Sequence, residues 1–292
     1  MAYPGVENYI KDYCNSIQSQ DTDEYDILIL NDRYEELFPF YHKKITLINI
    51  EKNLTPAEIR MLGIKYAIDN NYKYIIFSDI DDYFSSNRIS LSKEKLIKYD
   101  FVYNNYILID SFGNIISKYC STYFKIKKEI ISFLDIVDKN IIGFGNSGVK
   151  VKKLDNLYIP KEILAVDWWI YSILLLNSCK GRYILKAINY YRQYENNLGI
   201  STNLNKNKLL NGIRVKQIHY KNLLIYCEDR KMKEATKIYS KKLEEIDTLN
   251  KYIKDESFCK RYIEVINKNY SKIFNGWWSE ILPIKEWIKY DK

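Results

Sequence analysis

An α/β fold, built on a mixed, mostly parallel sheet with a helical C-terminal region, is what this sequence predicts, and three observations carry it. The apolar run Tyr74 to Phe77 ends abruptly in Ser78-Asp79-Ile80-Asp81-Asp82, as a buried strand does when it delivers acids to a sheet edge. Strand-like and helix-like segments alternate across residues 25–82 at lengths that suit parallel strands covered by helices. After Asn203 the pattern changes to Lys, Glu and Leu or Ile at helical spacing, from Lys221 to Lys242 and again from Glu256 to Ser271.

Taken in order, residues 5–19 place Val6, Tyr9, Ile10, Tyr13, Cys14 and Ile17 three and four apart, the pattern of an amphipathic helix. Tyr25 to Leu30 reads as a strand closed by Asn31-Asp32, and Lys44 to Ile50 as a second. Thr55 is placed to cap a helix with Pro56 at its first position and Glu58 in its first turn, running to about Asn70. The acidic strand follows, and in such sheets ligands bind beyond the carboxyl ends of the strands, where Asn31-Asp32 and Asp79 to Asp82 both fall. Residues 100–150 predict further strands and a helix, with a hairpin of Phe101 to Asp110 and Gly113 to Tyr119 turning at Ser111-Phe112-Gly113. Gly143-Phe144-Gly145-Asn146-Ser147-Gly148 lets the backbone approach something closely, although its spacing matches neither a P-loop nor a dinucleotide fingerprint. A further helix begins near Asp167. The chain divides into residues 1–203 and a mostly helical region, 204–292, that ends in Trp277-Trp278 and Trp287.

Composition narrows the functional classes. With 47% hydrophobic and 28% charged residues, and only 10 Gly and 5 Pro, the 292 residues specify a packed globular chain. The formal charge of +8 is spread along the sequence with acids interleaved, and the densest groups, Lys125, Lys127, Lys128 and Lys150, Lys152, Lys153, are short. Solvated faces explain them, and no basic stripe with interleaved aromatics supports nucleic-acid binding. The five cysteines, Cys14, Cys120, Cys179, Cys227 and Cys259, are odd in number and far apart, which speaks against both a zinc site and a disulfide framework. The expectation is a cytoplasmic protein, since no signal peptide is evident and the most apolar run, Trp168 to Leu176, is too short to span a bilayer.

Asp79 and Asp81 are two apart, so an extended backbone would send both carboxylates to one face. Such a pair suits a hard divalent cation sharing its shell with phosphate oxygens, and it equally describes a solvated acidic turn. On local sequence alone Asp167 is an ordinary helix-start acid, Arg60 a surface helix residue, and Trp168 and Trp169 core packing. The two histidines, His42 and His219, lie in unrelated contexts and read as structural.

Three elements in order give residues 3–200 a resemblance to nucleotide-sugar glycosyltransferases of family 2, which have the GT-A fold. The first is the helix ending in Ser16-Ile17-Gln18-Ser19-Gln20, leading into strand Asp26 to Leu30 and Asn31-Asp32. The second is Arg60-Met61-Leu62-Gly63-Ile64-Lys65-Tyr66-Ala67, leading to Asp79-Ile80-Asp81, which is similar to the family's R-x-x-G-x-x-x-A helix and DxD motif. The third is Gly145-Asn146 followed by Val166-Asp167-Trp168-Trp169, similar to the family's acceptor-side loop and E-D-W-type motif. The resemblance implies that Tyr3, Asp32, Arg60, Asp79 and Asp81 bind the nucleotide sugar, with Asp81 reaching a Mn²⁺ or Mg²⁺ ion. It further implies that Gly145, Asn146, Trp168 and Trp169 lie on the acceptor side, one tryptophan stacking on a sugar, that Arg192 contacts the diphosphate, and that Asp167 is the general base.

The function so implied is metal-dependent, inverting transfer of a sugar, with UDP as the expected carrier, to a saccharide or glycolipid acceptor in surface glycan synthesis. A base at a helix start feels the positive end of the dipole, so Asp167 is expected to stay ionised and to be weakened. Peripheral contact with the inner membrane face is the accompanying expectation for the basic, aromatic C-terminal region, which equally describes a soluble bundle. Two departures stand out. The chain begins at Met1-Ala2-Tyr3-Pro4, about where the family's first strand would finish, and Tyr194 stands where the family's Y-R-x-H segment carries histidine. They motivate the alternative of a non-catalytic nucleotide-sugar-binding or scaffold protein. A phosphatase with an aspartyl nucleophile fits less well, because Tyr83 follows the acids.

Overall fold

The computed structural model describes residues 1–35, 45–50, 54–117, 129–193 and 203–291. His42, Cys120, Lys125, Lys127, Lys128 and Tyr194 lie outside the described residues, as do Lys118 and Tyr119 of the expected hairpin.

The first helix, α1 (Ile10–Gln18), buries Ile10, Tyr13, Cys14 and Ile17. It starts later than its periodicity predicts because the chain first turns through Gly5, whose φ of 99° is left-handed and suits glycine. Strands β1 (Ile27–Asn31) and β2 (Ile45–Asn49) pair in parallel. Helix α2 (Pro56–Asp69) begins with the predicted cap: Thr55 Oγ1 accepts from the Glu58 N–H at 3.3 Å, and Glu58 Oε2 accepts from the Thr55 N–H at 2.9 Å.

The larger sheet contains β3 (Tyr74–Ile76), β4 (Tyr83–Phe84), β5 (Phe101–Ile109), β6 (Ile115–Ser117), β7 (Ile130–Ile131), β8 (Ser147–Lys150) and β9 (Gly181–Arg192). Its path is β3-β8-β5-β9-β4, with β6 on β5 and β7 on β9. The α/β expectation holds, and the sheet is mixed. Among the described pairs only β1–β2 and β5–β9 run parallel, so the parallel share is smaller than the sequence suggested. The acidic run also departs from expectation. β3 is three half-buried residues paired on one edge by β8, and the acids that follow leave the strand.

The hairpin at Ser111-Phe112-Gly113 joins β5 to β6, with Gly113 at φ 87° and Asp110 Oδ1 accepting from the Phe112 and Asn114 N–H groups. Between residues 100 and 150 the described residues include the short 3-10 turns Phe133–Asp135 and Phe144–Asn146, and the part of this span at 118–128, on which the expected α-helix can fall, lies outside the described residues. Helix α3 (Arg88–Lys98) leads into β5, and α4 (Val166–Leu176) is apolar on all sides and buried. After Asn205 caps it, α5 (Lys206–Asp229) packs on α6 (Lys233–Tyr252), followed by α7 (Glu256–Lys268) and the short α8 (Tyr270–Ile273) and α9 (Ile284–Trp287). One continuous core runs from Phe101 and Tyr171 to Tyr220, Tyr262 and Trp287. Trp277 pairs its backbone with Asn140, which carries the C-terminal region back against the sheet. No described helix is long and apolar enough to cross a membrane.

Candidate active site

Asp79 through Asp82 form a turn closed by the Asp82 N–H on the Asp79 carbonyl at 3.3 Å, not an extended strand end. The turn aims each carboxylate differently. Arg60, projecting from α2, donates from Nη2 to Asp79 Oδ1 at 3.1 Å while its guanidinium lies 4.3 Å from the Phe144 ring centroid. The Tyr3 hydroxyl donates to Asp81 Oδ2 at 3.2 Å. Asp82 points inward and accepts from the Asn189 amide and the Arg192 N–H, both at 2.9 Å. Burial, then the neighbouring charges of Asp81 and Asp79, hold its carboxyl well above the usual range. Sequence reading passed over Asp82 although it was the third acid of the run. Asn189 lay in β9 with no local signal to single it out.

Arg192 is 1% exposed and acts as a clasp. It donates to the Asp81 carbonyl at 2.9 Å, to the Ser111 carbonyl at 3.0 Å and to the Asp12 carboxylate at 2.7 Å, with its guanidinium over the Tyr9 ring. These contacts commit it to holding the acidic turn, so the expected diphosphate contact is not what its geometry provides. Behind the turn, Arg88 is equally buried and donates to the Phe77 carbonyl and to Asn104 Oδ1, and burial lowers it to about 10. Asp32, at the end of β1, pairs with Arg33 at 3.0 Å and gives its N–H to the Ala2 carbonyl, which sets it beside Tyr3.

The glycine loop joins two groups of acids. A Cβ on Gly145 would fall 3.0 Å from Asp82 Oδ2, 3.3 Å from Asp79 Oδ2 and 3.2 Å from the Asn189 amide nitrogen. On Gly143 it would meet the Tyr106 hydroxyl at 2.6 Å, Trp277 at 3.4 Å and Asp167 Oδ2 at 3.5 Å. A side chain at Gly143 would force the Tyr106 hydroxyl to move, and one at Gly145 would make its neighbours give by a few tenths of an ångström. Asn146 is turned inward, its oxygen accepting from the Gly143 N–H and its amide donating to the Asn104 carbonyl, both at 2.8 Å. It shapes the loop and offers nothing to an acceptor, a correction to its expected place.

Asp167 sits in the first turn of α4, its Oδ1 accepting from the Trp168 N–H at 2.7 Å. Burial raises it to about 6, aided by the Asp79 charge and opposed by the Trp168 N–H and Arg60. The expected weakening by the helix dipole is thus outweighed by desolvation. The structure also corrects the stacking expectation. Trp168 donates its indole N–H to the Ile136 carbonyl at 2.7 Å and stacks between His219 and Trp278, and Trp169 donates to the Tyr158 carbonyl at 2.9 Å. Both are buried, so neither offers a ring face to a ligand. His219 is structural as expected, and burial lowers it to about 3.

No described group of three or more His, Cys, Asp or Glu side chains is set to hold a metal ion by itself. The donor set nevertheless fits a hard divalent cation. Asp79 and Asp81 carry carboxylate oxygens in one turn, with Asp79 beside Gly145, and they would hold such an ion with phosphate oxygens of a bound diphosphate completing the shell.

Known proteins are similar to this chain in sequence family and in fold. The family described as Glycosyl transferase family 2 matches residues 2–157. No curated protein gives a match. Among solved structures, S. aureus TarS in complex with UDP-GlcNAc is similar with a TM-score of 0.53 at 16% identity, over 75% of this chain and 64% of that one. The mannosyltransferase PcManGT from Pyrobaculum calidifontis, in complex with GDP-Man and Mn²⁺, gives 0.53 at 11% identity, over 76% and 61%. The chain therefore spans less than two thirds of the length of either.

Proposed function

The chain belongs to glycosyl transferase family 2, and from that premise we propose that it is an inverting, metal-dependent transferase moving a sugar from a nucleoside diphosphate, UDP first among the candidates, to a hydroxyl of a saccharide or lipid-linked acceptor. One observation carries the reading: Asp167, raised to about 6, lies across a two-glycine loop from the Asp79 to Asp82 turn. A carboxylate poised near neutrality next to a diphosphate-compatible acidic turn is what such a transfer requires. The acceptor oxygen bonds to the anomeric carbon as that carbon's bond to the diphosphate oxygen breaks, and the hydroxyl proton passes to Asp167. Asp81, with Asp79, would hold a divalent cation whose charge offsets that of the departing diphosphate. Tyr3 and Asp32 flank the place for the nucleoside.

A cytoplasmic location, contact with the inner membrane face and a part in surface glycan synthesis complete this proposal on resemblance alone. The division into residues 1–203 and 204–292 belongs to it as well, with the helices after Asn205 closing the acceptor side through Trp277. The non-catalytic reading draws on one feature: Asp79 and Asp81 are already engaged by Arg60 and Tyr3.

Calorimetry with UDP, with and without Mn²⁺, on the parent and Asp81→Ala tests the proposal. Manganese-dependent binding lost in the variant, together with hydrolysis of a UDP-sugar, is expected. Binding without any turnover selects the non-catalytic reading, and no binding of UDP, GDP or dTDP refutes both.

A further inference from the structure

Phe144 stands between the two glycines of the loop, and the transfer as described gives it no task. Its turn is rigid. Asn146 Oδ1 accepts from the Gly143 N–H at 2.8 Å and the Ser147 hydroxyl donates to the Gly143 carbonyl at 2.6 Å, which closes the loop around residue 144. The Phe144 ring packs on Phe77 with 4.8 Å between centroids, and Phe77, two residues before Asp79, gives its own N–H to the Ser147 carbonyl at 2.9 Å. The Arg60 guanidinium lies 4.3 Å from the same Phe144 centroid. From that position Arg60 Nη2 donates to Asp79 Oδ1, the one hydrogen bond that the Asp79 side chain receives among the described residues. The other carboxylate oxygen, Oδ2, is thereby turned toward Gly145, 3.3 Å from where a Cβ there would stand.

We propose that Phe144 is a positioning residue of the donor side, acting through Arg60 to set the angle of the Asp79 carboxylate. The proposal rests on the transferase reading and carries it to a residue that touches no substrate. A carboxylate held by a single N–H is free to turn when its donor is free to swing. Arg60 loses that freedom because a guanidinium stacks flat on an aromatic face, and its side chain is 16% exposed, with little water to compete. An aliphatic side chain at 144 would still fill the core but offers no such face. The angle of Asp79 matters because a group one bond behind a cation ligand governs affinity nearly as strongly as the ligand does. Phe144 is also part of the main core, at 7% exposed, and packing by itself would make any truncation costly. Packing, however, acts whether or not Arg60 is present, whereas the effect on Asp79 requires Arg60.

The experiment is a double-mutant cycle on the full chain, with the parent, Phe144→Leu, Arg60→Met and the two combined. Phe144→Met, which keeps a long apolar side chain, replaces the leucine variant if that one does not fold. Two quantities are read: the calorimetric Kd for UDP with Mn²⁺, and the carboxyl carbon resonance of Asp79 in the protein without nucleotide. Phe144→Leu is expected to weaken manganese-dependent UDP binding by about tenfold or more in the parent and by less than about twofold beside Arg60→Met. It is expected to move the Asp79 resonance only where Arg60 is present. Equal losses of affinity in the two backgrounds overturn the proposal and make Phe144 a packing residue, as does an Asp79 resonance that Phe144→Leu leaves in place. A parent that binds no UDP refutes the transferase reading, and the Asp79 resonance then decides this inference by itself.

Discussion

Replacing Asp167 by Asn separates a working carboxylate from a structural one. Burial raises Asp167 from 3.8 to about 6, and at about 1.36 kcal/mol per unit this is ~3 kcal/mol of cost to the ionised form, an upper bound because the side chain is only partly enclosed. The folded protein therefore holds a proton that the unfolded chain has released between pH 3.8 and 6. This group's contribution to stability accordingly falls as pH rises through that window and is fully unfavourable above it. Asparagine keeps the oxygen that accepts from the Trp168 N–H and carries no charge. Urea unfolding should find Asp167→Asn as stable as the parent or more so at pH 8, by up to ~3 kcal/mol, with this part of the pH dependence gone. Turnover should fall by about a hundred- to ten-thousandfold with donor affinity kept, and the parent's kcat/KM should rise with pH through about 6. A variant that loses more than about 1 kcal/mol at pH 8 while retaining turnover would refute the argument and make Asp167 a helix cap.

Gly145→Ala should weaken manganese-dependent UDP binding by about tenfold or more with little change in Tm, because its Cβ presses on Asp79, Asp82 and Asn189 and calorimetry reads the displacement. Arg192→Lys should destabilise by about 3 kcal/mol in urea, since an ammonium cannot span Asp12, Ser111 and the Asp81 carbonyl together; a loss under about 1 kcal/mol would deny the clasp.

Local signals were legible where local physics decides. Thr55-Pro56 with Glu58 announces α2 because the cap is built from four consecutive residues, and the Ser111-Phe112-Gly113 turn announces its hairpin because Gly113 needs a left-handed φ. The late start of α1 was less legible, since periodicity does not register a left-handed glycine. At the site, the acids were visible as a run and their aims were not. Asp79, Asp81 and Asp82 differ by partners from distant elements, Arg60 on α2, Tyr3 before α1, and Asn189 and Arg192 on β9. The burial of Trp168 and Trp169 is decided by α5 and the Trp277-Trp278 segment, beyond the reach of a window around residue 168. The basicity of Asp167 follows from the same enclosure, which no dipole argument from its position on α4 contains.

The Arg192 clasp also bears on when the site comes into being. Its bonds to Asp82 and Asp12 join residues 110 and 180 positions apart, and Asn189 reaches Asp82 over 107. Contacts of such separation carry loop-closure entropy and form late in folding. Helix α2 and the Ser111-Phe112-Gly113 hairpin are free to form as soon as they leave the ribosome, but three neighbouring carboxylates stay unclasped until β9 has emerged. Order of synthesis thus becomes order of assembly, with the acidic turn among the last parts of the protein to acquire its shape.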